Sequence, residues 1–448
     1  MDMSEENKNI DVVVGLDIGT TKIACFIGQE NEHGKLEILS MGKAESIGVT
    51  RGVVANIEQT VNSIKKAVRE AEERIPGDIK IKSVNVGIAG QHISSIQHRG
   101  MIMRSDMDTE VSQADLDKLI EDALKLSVAP GDEIIHVLPQ EWIIDEEPGI
   151  KNPVGHAGMK VEANLHVITG NVVAAKNITK CVHKVDLSIS QMILEPLASS
   201  EAVLSREEKE SGVVLVDIGG GTTDVAIFHD EVIKHTAVIP FGGNIITEDI
   251  KQGCAILKKN AEQLKVKFGS ALQSESQDNE IVCIPSPRGR AAKEISIKNL
   301  AGIIQSRVEE IIEHVHYEIK NSGCEKDLTC GIVITGGGAQ LNHITQLFEF
   351  ITGMDTRIGY PNEHLSSSTT IEGLTSPIYS TGIGLVLKGI EHDKMKAAKL
   401  EALTGGTGVE EKAKGKEPKI KGHSKGSIKG GFFSNVLEKT KTWFEEED

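Results

Sequence analysis

Residues 213–228 read VVLVDIGGGTTDVAIF, and residues 12–26 read VVVGLDIGTTKIACF. In both, an apolar run ends in Asp-Ile-Gly, passes through small or flexible residues and Thr-Thr, and resumes as a second apolar run. Short apolar runs bounded by glycine are strand signals. The return run starts so soon that each unit is a hairpin. A dinucleotide-binding or P-loop turn feeds a helix instead, and neither stretch carries the Gly-Lys-Ser/Thr ending of a P-loop. The chain therefore contains an internal repeat, with Asp17 and Asp217 standing 200 positions apart.

A hairpin tip of Gly and Thr presents backbone N–H groups and hydroxyls, and glycine lets the backbone come close to an anion. Asp17 and Asp217 end the leading strands beside such tips. A carboxylate does not bind phosphate directly, but it can hold a hydrated Mg²⁺ that neutralises one. Two tips of this kind can pinch a polyphosphate between them. A third strand-plus-glycine turn, CGIVITGGGAQL at 330–341, offers Gly336, Gly337 and Gly338 to a nucleoside. Asp-Gly turns are common in hairpins for purely structural reasons, so one copy alone would say little. Two matched copies and a third glycine turn point to nucleotide binding.

At 448 residues the chain is long enough for two or more domains with sizeable cores. A formal charge of −17 argues against broad nucleic-acid binding, which needs a basic face. The cysteines at 25, 181, 254, 283, 324 and 330 are scattered without a CxxC pair, which fits reduced, mostly buried thiols in a cytoplasmic protein. The histidines show no ligand-like spacing; His314 and His316, two apart on a helix, face differently. No metal is expected beyond nucleotide-bound Mg²⁺. The N-terminus lacks the pattern of a secretion signal, and no apolar run approaches the roughly 20 residues of a membrane-spanning helix.

The chain divides as follows. Residues 1–10 are polar and expected to be disordered. One lobe is expected from 11–83 and 166–205, with strands at 11–28 and 35–41. Its helix carries Ile57, Val61, Ile64, Val68, Ala71 and Ile75 at 3–4 residue spacing. An inserted subdomain over 84–165 alternates short strands with a helix near 112–127 that opens on SQAD, an N-cap signal. SREEKES at 205–211 reads as a charged surface connection. A second lobe is expected from 206–270 and 328–391, with an outer part over 271–327. That part holds a polar, proline-rich loop region at 270–290 and an amphipathic helix near 298–321. The helix's positions 303, 304, 308, 311, 312, 315 and 319 form one apolar face. The globular pattern fades near Gly389, leaving a linker over 392–430 and a terminal segment over 431–448.

In their order and spacing these units resemble the actin-like (ribonuclease H-like) family of two-lobed α/β proteins, which includes actin, DnaK-type chaperones, sugar kinases and bacterial filament proteins. The resemblance implies ATP and Mg²⁺ in a cleft between lobes. Asp17, Gly19, Thr20, Thr21 and Lys22 would form the first phosphate loop. Asp217, Gly219, Gly220, Gly221, Thr222 and Thr223 would form the second. Asp17 and Asp217 would hold Mg²⁺ through water. LEPLASSEAVL (194–204) resembles the first connecting helix, with Glu195 where the chaperones place a glutamate acting on metal-bound water. AEQLKVKFGSA (261–271) resembles the helix that brings a Glu and a Lys to the nucleoside, here Glu262 and Lys265. YSTGIGLVLKG (379–389) resembles the second connecting helix.

The inserted subdomain, with VNVGIAGQHISSI, EIIHVLPQEWIID and LHVITG, resembles the extra subdomain of the FtsA family of bacterial cell-division proteins. LAGIIQSRVEEIIEHVHYEIKNSG (300–323) resembles the helix with which that family holds the C-terminal tail of FtsZ. Arg307 and Glu310 match positions tied to that contact; a solvated charged face would use the same residue types. The family implies a polymer that tethers FtsZ at the cytoplasmic side of the membrane, at the division site, and recruits later division proteins. ATP is then chiefly an assembly ligand with slow turnover at most.

The end of the chain is GFFSNVLEKTKTWFEEED. Phe432, Phe433, Val436, Leu437, Thr440, Trp443 and Phe444 fall on one stripe at helical spacing. At 1.5 Å per residue the segment is about 27 Å long, and a helix this short is marginal in water without a surface to lie on. A bilayer interface supplies one; a protein partner would supply another. Seven lysines against one acid between 412 and 431 favour anionic lipid, while the acids at 445–448 oppose it. Body, linker and amphipathic end together follow the FtsA plan. Two rivals share the fold: a small-molecule kinase, which needs a carboxylate base beside a substrate pocket, and an actin-like scaffold of another membrane machine such as pilus assembly.

Overall fold

The computed structural model describes residues 12–404 apart from 76–78, 106–108, 278, 286–291 and 367–370. The N-terminal segment 1–10, most of the linker and the whole terminal segment 431–448 lie outside the described residues. The packing below belongs to the compact unit that runs to Ala397.

Two five-stranded sheets follow one plan. In the first, β1 (Val13–Ile18), β2 (Lys22–Glu30) and β3 (Leu36–Glu45) form an antiparallel meander, extended beside β1 by the parallel strands β6 (Ser83–Ile88) and β11 (Ser188–Leu194). In the second, β12 (Val213–Ile218), β13 (Thr223–His229) and β14 (Val232–Ile239) form the meander, extended beside β12 by β17 (Ile332–Thr335) and β18 (Thr356–Ile358). The leading strands β1 and β12 are covered on both faces, so they read as unbroken apolar runs. Between β3 and β6 come a small hairpin, β4 (Val49–Thr50) and β5 (Val53–Val54), and helix α1 (Ile57–Arg74), capped by the Asn56 side chain and packed by its apolar stripe on the first sheet.

A third sheet is wholly antiparallel, in the order β7 (Ser94–Met103), β10 (Lys160–Asn171), β8 (Asp132–Ile144), β9 (Glu147–Ile150). Helix α2 (Gln113–Ala123) closes one face, setting Leu116, Leu119 and Ala123 against Val161, Ala163 and Leu165. Its Ser112–Asp115 capping box is the SQAD signal, and the helix stops at Ala123, short of 127. This sheet abuts the edge of the second. Gln140 Nε2 donates to the carbonyl oxygens of Ile233 (2.6 Å) and Lys234 (3.0 Å), and His166 Nε2 pairs with Thr236 Oγ1 at 2.9 Å.

Helix α3 (Val172–His183) returns the chain to the first sheet, and α4 (Glu195–Val203) follows β11 directly. The SREEKES segment is helix α5 (Arg206–Ser211), nucleated by a reciprocal Ser205–Glu208 capping box. Helices α6 (Gly243–Gly253), α7 (Lys258–Phe268), α8 (Ile297–Asn321) and α9 (Ile344–Thr352) pack around the second sheet. The polar stretch at 270–290 contributes β15 (Ile281–Ile284), paired with β16 (Lys293–Ser296). Helix α10 (Ser380–Thr404) runs past Gly389 into the expected linker, because MKAAKLEAL consists of strong helix formers. Helices α4 and α10 cross between the two sheets. They touch so closely at Gly384 that a Cβ there would lie 1.8 Å from the Ala198 carbonyl oxygen.

Candidate functional site

The two hairpins show what the repeat is. Asp17 pairs with Ala24 and Ile18 with Ile23; Asp217 pairs with Asp224 and Ile218 with Thr223. Each turn therefore spans four residues, 19–22 and 219–222. Aligned by register, Thr20-Thr21 fall on Gly220-Gly221, and Thr222-Thr223 fall on Lys22-Ile23. The Thr-Thr pairs that make the repeat visible in sequence are not equivalent in space. Thr223 consequently stands where Ile23 stands in the first copy. It is fully buried, donates its hydroxyl to the Phe241 carbonyl at 2.8 Å, and does not line the cleft. Of the residues expected in the second loop, Thr223 is not among those lining the cavity.

The remaining residues expected to bind nucleotide meet around one cavity of about 410 Å³. The first turn (Asp17, Gly19, Thr20, Thr21, Lys22), the second (Asp217, Gly219, Gly220, Gly221, Thr222), the third (Gly336, Gly337, Gly338), and Glu195, Glu262 and Lys265 all line it. The volume falls in the range of small-molecule sites. The two hairpin turns interlock: a Cβ on Gly220 would lie 2.0 Å from Thr21 Oγ1.

Four carboxylates crowd one end. Asp17 pairs with Lys22 Nζ at 3.1 Å. Asp217 Oδ2 accepts hydrogen bonds from Ser199 Oγ of α4 (2.7 Å) and Thr381 Oγ1 of α10 (3.3 Å). Asp224 Oδ2 accepts from Thr222 Oγ1 at 3.1 Å, while Asp224 Oδ1 is buried with no partner among the described residues. Glu195, at the start of α4, rests against Gly87. Burial, then Asp17, Asp224 and Asp217, raise the Glu195 carboxyl well above the usual carboxylate range. Burial, then Asp217, push Asp224 up to about 7. Asp217 is raised by burial and Asp17, against the pull of its Ser199 hydrogen bond. Burial opposes the charge on Lys22, yet Asp17, with Asp217 adding to it, leaves the ammonium raised.

Buried like charges with one cation among them, and an unpartnered carboxylate oxygen, suit a hard divalent cation. Among the described residues no three His, Cys, Asp or Glu side chains converge closely enough to hold a metal directly. A cation here would be held through its water shell, as Mg²⁺ commonly is.

At the other end, Lys265 Nζ reaches Glu262 Oε2, the Gly243 carbonyl and Thr247 Oγ1, each at 2.8 Å. Burial lowers the Lys265 ammonium despite Glu262. The Thr247 hydroxyl also bonds Glu262. Arg307 and Glu310 lie apart from the cavity. Arg307 grips Asp249 of α6 in a two-point contact (Nε–Oδ2 2.6 Å, Nη2–Oδ1 3.2 Å) and also bonds Glu310. The hydrogen bond to Asp249 raises the Arg307 guanidinium further.

Sequence reasoning missed Asp224, Ser199, Thr381 and Asp249. Asp224 lies inside the diagnostic stretch, but its counterpart is Ala24, so the repeat assigned it nothing. Ser199 lies four residues after Glu195, on the same helical face, a signal that was available. Thr381 and Asp249 have no local signal.

Residues 214–384 match the family model described as "Cell division protein FtsA", and residues 90–169 match "SHS2 domain inserted in FTSA". The chain is 39% identical to the cell division protein FtsA of Pseudomonas aeruginosa over 384 residues, covering 85% of this chain and 89% of that one. It is 36% identical to the Escherichia coli K12 protein of the same name over 401 residues, covering 87% and 93%. Among solved structures it resembles a PilM–PilN type IV pilus biogenesis complex, with a TM-score of 0.62 at 15% identity over 84% of this chain and 98% of that one. It also resembles MreB5 of Spiroplasma citri bound to AMPPNP, with a TM-score of 0.51 at 15% identity over 88% and 98%. These two likenesses establish the actin-like fold, and the second family match identifies the third sheet and its helix as the inserted subdomain.

Proposed function

The chain belongs to the FtsA family of cell-division proteins, and from that premise we propose that it binds ATP–Mg²⁺, polymerises, and tethers FtsZ filaments to the inner face of the cytoplasmic membrane. In this role it recruits later division proteins. The observation that carries the proposal is the cleft. Two interlocked hairpin tips and a glycine turn surround one cavity, with four carboxylates at one end and a Glu–Lys pair at the other.

Asp17 and Asp217, joined by Asp224, would hold the hydrated cation. The backbone of the two turns, with Thr20, Thr21, Lys22 and Thr222, would bind the phosphates. Glu262 and Lys265 would face the nucleoside beside Gly336, Gly337 and Gly338. Bound Mg²⁺ would neutralise phosphate charge. Glu195, beside Asp17, Asp217 and Asp224, would act on cation-bound water. Burial, then Asp17, Asp224 and Asp217, raise its carboxyl above the usual range. ATP serves chiefly as an assembly ligand, with slow turnover at most. Arg307 and Glu310 would receive the FtsZ tail, and Phe432, Phe433, Val436, Leu437, Trp443 and Phe444 would enter anionic membrane.

The test is flotation of purified FtsZ on anionic liposomes with this protein and Mg–ATP, comparing the full chain with one ending at Gly430. FtsZ should float only with the full chain. If the full chain floats and FtsZ does not, the anchor is right and the partner wrong. If neither floats, the terminal segment docks on protein and the tether is refuted.

A further inference from the structure

We propose that Arg51 reads the terminal phosphate of the nucleotide, so that the cleft distinguishes a nucleoside triphosphate from a diphosphate; this rests on the cleft being a nucleotide site. Strands β4 and β5 are joined by a two-residue turn, with Val49 opposite Val54 and Thr50 opposite Val53. The tip is Arg51-Gly52, with φ values of 50° and 74°. Left-handed backbone at both positions marks the mirror-image turn of tight hairpins, whose first position favours Asn, Asp or Gly. An arginine is held there against its own backbone preference. A residue kept in an unfavourable conformation calls for a functional reason.

The tip is wedged between the two phosphate turns. The Gly52 amide donates to Thr20 Oγ1 of the first turn at 3.2 Å. A Cβ on Gly221 of the second turn would lie 2.9 Å from Arg51 Cα and 3.0 Å from its N, so only glycine leaves room for this backbone. Gly52 itself lines the cavity. The Arg51 side chain is exposed and has no hydrogen-bond or ion-pair partner among the described residues. The two lysines that line the cavity are engaged, Lys22 by Asp17 and Lys265 by Glu262. Arg51 is thus an uncommitted guanidinium whose backbone abuts the second turn and whose neighbour Gly52 lines the cavity, although Arg51 itself is exposed and does not line it. Its planar fork matches phosphate oxygens two at a time. On this proposal a third phosphate would bring charge to the guanidinium that a diphosphate would not.

Arg51→Asn removes the charge while suiting the turn better, so the hairpin is kept. Binding of ADP and of a non-hydrolysable ATP analogue, each with Mg²⁺, is measured by calorimetry on the full chain. In R51N the affinity for the analogue should fall by about tenfold, the scale of a lost charge-assisted contact, and that for ADP by less than about twofold. Melting temperature should be unchanged or higher, and Arg51→Lys should recover part of the loss. Equal losses for both nucleotides, or an unchanged ratio, would overturn the proposal alone. A wild-type chain that binds neither nucleotide would overturn the cleft reading and this one with it.

Discussion

Replacing Asp224 with Asn asks whether the cleft is built around a cation. Asp224 is 4% exposed and sits across the hairpin from Asp217. Burial, and then that neighbouring carboxylate, push its pKa from 3.8 up to about 7. In the unfolded chain it titrates near its ordinary value. A folded pKa above the unfolded one means that the fold binds the proton more tightly. The carboxyl therefore carries no penalty below about pH 4, destabilises the ligand-free protein increasingly as pH rises towards 7, and exerts its full effect above that. A displacement of about three pKa units, at about 1.4 kcal/mol each, sets a ceiling on the order of 4 kcal/mol.

Asn cannot ionise, so ligand-free Asp224→Asn should exceed wild type in stability by only about 1 kcal/mol at pH 4.5 and by most of that ceiling at pH 8. Thermal melts of both chains across that range, with chelator present, make the comparison. Asp224 is one of the charges that raise Glu195, so the difference between the two curves reports position 224 together with its coupling to Glu195. Mg²⁺ with nucleotide should return the lost stability to wild type and expel a proton near pH 6.5. That release appears as a dependence of calorimetric heat on the buffer's ionisation enthalpy. A stability gap that stays constant from pH 4.5 to 8, with no proton released on binding, would refute the reasoning.

Gly384→Ala adds a Cβ 1.8 Å from the Ala198 carbonyl oxygen. Overpacking of roughly 1–3 kcal/mol should outweigh a helix-propensity gain of about 1 kcal/mol, so the melting temperature should fall; a variant as stable as wild type would show that α4 and α10 can part without loss. Arg307→Ala and Asp249→Asn each break the same two-point ion pair, which is partly exposed, so neither should cost more than about 1 kcal/mol of stability. Arg307→Ala should weaken binding of an FtsZ tail peptide in fluorescence anisotropy, Asp249→Asn, which frees the guanidinium, should strengthen it, and the double variant should bind like Arg307→Ala. An Asp249→Asn effect that persists in the Arg307→Ala background would mean that Asp249 acts independently of Arg307.

Particular residues show how much the sequence could tell. The hairpins were legible because a strand buried on both faces and ended by Asp-Gly has few other readings. The alignment of their turns was not. Thr-Thr matched by eye, while the cross-strand partners of Asp17 and Asp217 decide which residues are equivalent, and a partner is not written locally. Helix α5 did carry its signal, the Ser205–Glu208 capping box, but its charged, six-residue face resembles any surface connection. The far end of α10 has helix propensity without an apolar stripe, which is also how a linker reads. Strands β15 and β16 are four residues each in polar surroundings, too short to show a period. The Arg307–Asp249 contact joins positions 58 apart, and only the packing of α6 on α8 brings them together.

That packing bears on how nucleotide and tail would communicate. Helix α6 offers Gly243, Asn244 and Ile246 to the cavity and, one turn further on, Asp249 to Arg307. Helix α8 offers Val308 and Ile311 to the cavity, while the neighbouring positions 307 and 310 carry the ion-pair cluster. The two helices, both of which line the cavity, are therefore stapled to each other by the residue proposed to receive the tail. An incoming carboxylate must share the Arg307 guanidinium with Asp249 or displace it. A nucleotide that shifts α6 against α8 changes how firmly Asp249 holds on. The two events draw on one contact, so any change that occupancy makes in tail affinity must return, by the same factor, as a change in nucleotide affinity when the tail is bound.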